Sequence, residues 1–276
     1  MPLSTSQQIT RYYEEFGNVD VTFTKEVIRA TMLYPKQVYL KCLGFQWPCV
    51  IYSSSMNGAK IIVHVKPALK EAIQKSNNLV SLRFSFLQRD KIDPLSFFVS
   101  AKIAGATPYN EKNPELSIMT LTYTQRPADD LIEILGLLLE ATTNSKKRKE
   151  ERITLTAASM RQMGIRAKGT TVYIGGVPRK CIVRDVSFSG AKVIIPGVAP
   201  FLVNKDAVLR IVLEEPDDVL DIRGKVIRFE AVEGRKDIAA FAISFDEDSV
   251  PMKYKMRINN FLKQNKTVRD SHNVNT

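Results

Sequence analysis

Lys180-Cys-Ile-Val-Arg-Asp185-Val-Ser187 and Ala191-Lys-Val-Ile-Ile195, separated by Phe188-Ser189-Gly190, alternate apolar and polar residues over most of their length. Half-buried antiparallel strands read this way. Runs of the same kind surround them at Thr170–Ile174, Ala207–Leu213, Leu220–Phe229 and Ile238–Phe245. Pro251 opens a closing helix through about Lys263, and Thr156–Gly164 has the composition of a small helix.

The first half repeats that order. After a short helix over Ser4–Phe16, with Ile9, Tyr12, Tyr13 and Phe16 at helical spacing, come β-rich runs at Val38–Leu40, Cys49–Tyr52, Lys60–Val65, Leu79–Phe86, Phe97–Ile103 and Leu116–Tyr123. Pro67–Ser76 reads as a helical turn or two between strands. Pro127-Ala-Asp-Asp-Leu131 then starts a helix through Ala141 whose Leu131, Ile132, Leu135, Leu138 and Leu139 form one stripe. No repeat stands out in the sequence itself, but the element order is the same twice. The expected fold is mainly β: two tandem small antiparallel β-barrels, each closed by a helix. Residues 1–143 would form the first, 144–152 a basic linker, 153–264 the second and 265–276 a disordered tail.

The 276 residues are 44% hydrophobic and 25% charged, enough to bury two ordinary cores. The apolar run Leu131–Leu139 is interrupted by Glu133 and is far shorter than a span of roughly 20 residues, so no membrane insertion is expected. Met1–Phe16 lacks the pattern of a signal peptide. The cysteines, Cys42, Cys49 and Cys181, are an odd, sparse set suited to core positions in a reducing cytoplasm. The net charge of +11 is uneven. Residues 1–143 carry 15 basic and 13 acidic groups, and residues 144–276 carry 25 and 16. An anionic partner for the second half follows.

Asn144-Ser-Lys-Lys147-Arg148-Lys-Glu-Glu-Arg152 offers two guanidinium forks four residues apart, which lie on one face if the segment is helical and reach the same ligand if it is extended. Taken alone, it reads more readily as a solvated basic linker in which Glu150 and Glu151 pair locally. Downstream, Asp185-Val-Ser187-Phe-Ser189-Gly190 would show Asp185, Ser187 and Ser189 on one face of an extended segment, with Val186 and Phe188 in the core. A carboxylate can accept from the N1–H and amine of guanine, and glycine permits a tight turn or a close approach. An ordinary Asp/Ser turn ending in glycine has the same appearance.

Together, the Arg-x-x-x-Arg arm (Arg148, Arg152) and the Asp-x-Ser-x-x-Gly strand motif (Asp185, Ser187, Gly190) resemble the PilZ family signature, over roughly Arg148–Lys263. The whole chain is similar to spirochaetal PilZ proteins in which a PilZ-like barrel precedes the ligand-binding one. The resemblance implies a cyclic di-GMP receptor acting on a downstream protein in motility, virulence or gene expression. Arg148 and Arg152 would hold phosphates and guanines. Asp185, Ser187 and Gly190 would line the other side, with Lys147 and Ser189 beside them. A bound ligand would order the arm and fix the orientation of the two domains. The first domain shows neither motif and is expected to bind no dinucleotide.

The alternative is a nucleic-acid surface, since Arg161, Arg166, Arg179, Lys180, Arg184 and the closing helix add positive charge. An interleaved aromatic row is missing, however, and Tyr173, Phe188 and Phe229 read as core. RNA or DNA is therefore a secondary expectation. Gly175-Gly176 lacks the pattern of a phosphate loop, and neither His64 nor His272 has triad or metal-ligand spacing. The expectation is a monomeric, cytoplasmic binding protein that is not an enzyme and holds neither metal nor other cofactor.

Overall fold

The computed structural model describes the chain except residues 1–3, 89–90, 111–112, 114, 167–168, 198–199, 215–217 and 274–276. Two compact units divide between Leu139 and Glu140. In the first, helix α1 (Ser6–Phe16), strand β1 (Val21–Thr22) and helix α2 (Lys25–Thr31) precede strands β2 (Tyr39–Cys42), β3 (Phe45–Ser54) and β4 (Gly58–His64). Helix α3 (Pro67–Lys75), β5 (Leu79–Phe86), β6 (Leu95–Pro108), β7 (Leu116–Tyr123) and helix α4 (Asp129–Lys147) follow. The ladder β3-β2-β5-β6-β7-β4 is antiparallel throughout, and β4 returns to β3, so six strands close a barrel. Period-two alternation turns Leu40, Ile51, Ile61, Leu82 and Leu121 inward, where all are buried. The leucine stripe of α4 is buried as expected. Gly136 interrupts it because any β-carbon there would collide with the ring of Tyr12 from α1.

The second unit adds β8 (Ile153–Thr154), helix α5 (Ala157–Met163), β9 (Thr171–Ile174), β10 (Val177–Lys180), β11 (Ile182–Val186) and β12 (Gly190–Pro196). Then come β13 (Asp206–Leu213), β14 (Asp218–Val232), β15 (Arg235–Phe245) and helix α6 (Met252–Asn273). Its ladder, β10-β9-β13-β14-β15-β12-β11-β8, runs edge to edge, with no closing ladder among the described residues. Val172, Val193, Leu209, Ile222, Phe241 and Ile243 fill the interior, and Tyr254, Ile258 and Leu262 of α6 pack on it. A buried ion pair of 2.6 Å joins Lys253 at the start of α6 to Asp218 at the start of β14.

The mainly β fold with closing helices agrees with the alternation, but several boundaries move. The expected single strand Lys180–Ser187 begins at Ile182, after a break at Cys181, and ends at Val186. Helix α4 continues past Ala141 to Lys147, and its residues from Glu140 onward belong to the second unit and are bonded within it. Buried Glu140 accepts from Lys263 (2.8 Å) and Asn259 (3.2 Å), and Asn144 donates to Asn259 (2.7 Å). Residues 140–152 thus belong to the second unit, where a separate linker over 144–152 was expected. Helix α6 likewise runs to Asn273, through most of the expected tail; residues 274–276 lie outside the described ones. Helix α2 was not anticipated. Its signal is Thr24, whose hydroxyl accepts from the Val27 amide as an N-cap.

The two units also match at a level the sequence did not disclose. Adding 132 to each number carries β1–β4 of the first unit onto β8–β12 of the second without a gap, from Val21 on Ile153 to His64 on Pro196. Capping threonines Thr24 and Thr156 coincide, as do the left-handed helix ends Met32 and Gly164, both at φ 60°. Isolated bridges Leu33–Phe86 and Ile165–Leu213 occupy the same place. Cys49 coincides with Cys181, and Ser55, Gly58, Ala59 and Lys60 with Ser187, Gly190, Ala191 and Lys192.

Candidate functional site

Strands β11 and β12 form a hairpin whose loop is Ser187–Ser189. Its closing bond runs from the Ser187 amide to the Gly190 carbonyl (2.8 Å), and the Ser189 amide donates back to the Ser187 hydroxyl (3.3 Å). Serine side chains make such local turns readily. Because the strand ends at Val186, the period-two alternation fails at the next residue. Ser187 is buried, contrary to the expected shared face with Asp185 and Ser189, and it braces the loop from inside. Val186 and Phe188 are buried as expected.

Gly190 has a different reason from a tight turn. It lies in the ladder opposite Ser244, and a β-carbon would press into the Ile243 carbonyl oxygen. Glycine lets β15 close onto β12 at the hairpin's base. The Ser187 carbonyl is held by the Tyr254 hydroxyl (2.8 Å), which ties α6 to the hairpin. Burial raises the pKa of that phenol well above its ordinary value, so it stays a donor. Tyr254→Phe, which strands a buried carbonyl, is expected to lower stability by about 1 kcal/mol in urea unfolding.

The arm runs from the end of α4 to β8. Arg148 continues the helical bonding, its amide donating to the Asn144 carbonyl (2.8 Å), and the chain then turns through Glu151. Arg152 reaches Asp185, with Nε 2.6 Å from Oδ1. Thr154, two residues beyond Arg152, is directly paired with Asp185 across β8 and β11, so the backbone register brings the two side chains near each other. The Ser189 hydroxyl lies 2.9 Å from the Lys149 carbonyl and 3.0 Å from Glu150 Oε1, and donates to them. Lys149 pairs with Glu247 at 2.6 Å and holds that carboxyl below its ordinary range.

Of the expected site residues, Arg152, Asp185, Ser189 and Gly190 are thus gathered at one hairpin, with Ser187 behind them. Arg148 stands half-buried in the turn and Lys147 exposed at the helix end. Neither makes an ion pair among the described residues, so both charges are free for an anion. Lys149, Glu150, Glu247 and Tyr254 were missed; their contacts span up to 98 positions of chain and leave no local signal. Chemically, the cluster offers guanidinium forks for phosphate or a guanine edge and a carboxylate acceptor for guanine N–H groups.

The first unit holds the same hairpin in altered form. Ser53 and Ser55 stand where Asp185 and Ser187 do, with the Ser55 amide bonded to the Gly58 carbonyl (2.9 Å) and the Asn57 amide to the Ser55 hydroxyl (3.1 Å). A β-carbon on Gly58 would press into the Leu121 carbonyl. Asp20 occupies the position of Arg152, so a carboxylate replaces the fork.

Among the described residues no three His, Cys, Asp or Glu side chains are grouped to hold a metal ion, and no helix is long and apolar enough to cross a membrane. Residues 7–142 match the PilZN3 domain model, and residues 146–264 the PilZ domain model. Over 261 residues the chain is 47% identical to a cyclic di-GMP binding protein of Treponema denticola, covering 95% of this chain and 83% of that one. Among solved structures, the Borreliella burgdorferi PlzA protein in complex with c-di-GMP aligns at 25% identity and a TM-score of 0.42, over 93% of this chain and 98% of that one. The Bacillus subtilis inhibitor of motility MotI/DgrA aligns at 11% identity and a TM-score of 0.32, over 83% and 95%.

Proposed function

Since the chain belongs to the PilZ family, we propose that its second unit is a cyclic di-GMP receptor, with the ligand held between the arm and the β11–β12 hairpin. The observation that carries the reading is Arg152 seated on Asp185 at the hairpin's foot, with Arg148 and Lys147 of the same arm making no ion pair among the described residues. The likeness to the Treponema denticola protein supports the ligand. Arg148 and Arg152 take the phosphates and guanine edges, Lys147 adds charge, and Asp185 accepts from a guanine. Ser189 exchanges its bonds to the arm for bonds to the ligand. Ser187 and Gly190 give the loop its shape.

Ligand uptake then reorganises the arm, because Ser189 and Lys149 hold it in place. The rearranged arm selects one orientation of the two units from those the free protein samples, and a downstream protein reads that orientation. The protein is a receptor and carries out no reaction. The first unit, with Asp20 and Ser53 at the key positions, takes no dinucleotide. Isothermal titration of cyclic di-GMP into the full chain tests the reading, with saturable heat expected. Absence of heat would overturn it and turn the basic second half into a nucleic-acid surface, recognised by salt-sensitive shifts with RNA or DNA.

A further inference from the structure

The first unit departs from its counterpart at the turn between β2 and β3. Leu43 (φ 47°) and Gly44 (φ 84°) occupy it, both in the left-handed region, as a two-residue hairpin turn requires. The second unit has Gly175 and Gly176 at these places, at φ 58° and 81°. A leucine in that conformation is strained, and 52% of this one is exposed, so neither backbone nor burial favours it. Two residues on, Phe45 is 68% exposed where the counterpart has Val177, and its ring lies 6.0 Å from that of Trp47, where the counterpart has Arg179. Three substitutions thus concentrate apolar surface on one hairpin tip.

That tip is one wall of a groove. The other wall is α3, and the corresponding place in the second unit holds a single 3-10 turn, Pro200–Leu202. Leu43, Phe45, Trp47, Ala68 and Ala72 line a space of about 390 Å³. On the other side of Leu43 a hollow of about 750 Å³ adds the exposed Leu79 and Phe98. The charges around both are lopsided. Glu71, the one carboxylate lining either, is neutralised by Lys75 at 2.6 Å, whereas Lys41 rests over the Phe98 ring at 5.3 Å with no carboxylate partner among the described residues. Leu43, Phe45, Leu79 and Phe98, all exposed around the two hollows, are more apolar side chains in one place than singly scattered surface residues.

We propose that this groove docks an acidic segment of another protein, with apolar side chains seated between the β2–β3 tip and α3 and a carboxylate paired with Lys41. The inference stands independently of dinucleotide binding. Panning random displayed peptides on the full chain tests it, followed by anisotropy titration of the enriched peptides. Enrichment of Leu, Phe or Trp beside Asp or Glu is expected. Affinity should fall at least about tenfold in Leu43→Gly combined with Phe45→Ser, as loss of central anchors does. It should fall less in Lys41→Ala and more steeply with salt in wild type than in that variant.

Leu43→Gly relieves the turn, so unfolding midpoints should not drop, and cyclic di-GMP titrations should be unchanged in every variant. Peptides without acidic residues, or equal binding by the double variant, would overturn the proposal. So would sedimentation showing that the wild type self-associates through this tip, which would make a second copy the occupant.

Discussion

Arg152→Ala is expected to weaken cyclic di-GMP binding by about 100-fold or more while leaving the protein folded. Truncating one member of a hydrogen-bonded charge pair that the bound ligand buries costs about 2–5 kcal/mol, and 2.7 kcal/mol is a factor of roughly 100. The fold loses about 1 kcal/mol, because Arg152 is 41% exposed while Asp185, at 15%, is mostly covered, which puts the pair at the upper end of the range for surface pairs. Arg152→Lys should fall between, since an ammonium keeps the charge but lacks the planar fork. Isothermal titration of the three proteins, with thermal unfolding alongside, separates the effects. An affinity unchanged in Arg152→Ala would remove the arm from the site.

Gly190→Ala acts through packing. Its β-carbon would meet the Ile243 carbonyl at the hairpin end of the β12–β15 ladder, where backbone faces backbone and no side chain can swing aside. Overpacking of this kind costs about 1–3 kcal/mol or more. Binding should fail as well, because the displaced strand carries the hairpin. Gly58→Ala is the internal control. It meets the Leu121 carbonyl in the same way, so it should destabilise the protein by a similar amount yet leave dinucleotide affinity intact. Comparable loss of binding in both variants would mean that the site depends on general stability rather than on this hairpin.

Much of this architecture could be read from the chain. Period-two runs marked most strands, because each buries one face, and the leucine stripe marked α4. Arg152 and Asp185, which the structure pairs, each stood within a short motif. Ser187 was misplaced because the alternation ends one residue earlier, at a turn made by that serine's own hydroxyl. The duplication stayed hidden for a related reason. Its shared residues are scattered at caps, turns and close approaches, such as Thr24 and Thr156, Gly44 and Gly176, or Gly58 and Gly190. Between them, apolar residues of different kinds fill equivalent places, as Val21 and Ile153 do. The helix lengths depended on partners far away in sequence, Glu140 with Lys263 being 123 positions apart.

Hydrogen exchange of the full wild-type chain with and without cyclic di-GMP tests the site most directly. The account predicts ligand-dependent changes in peptides covering Lys147–Arg152 and Asp185–Gly190, with the Ser53–Gly58 hairpin unaffected. Changes confined to the first unit, or none at the arm under saturating ligand, would contradict it.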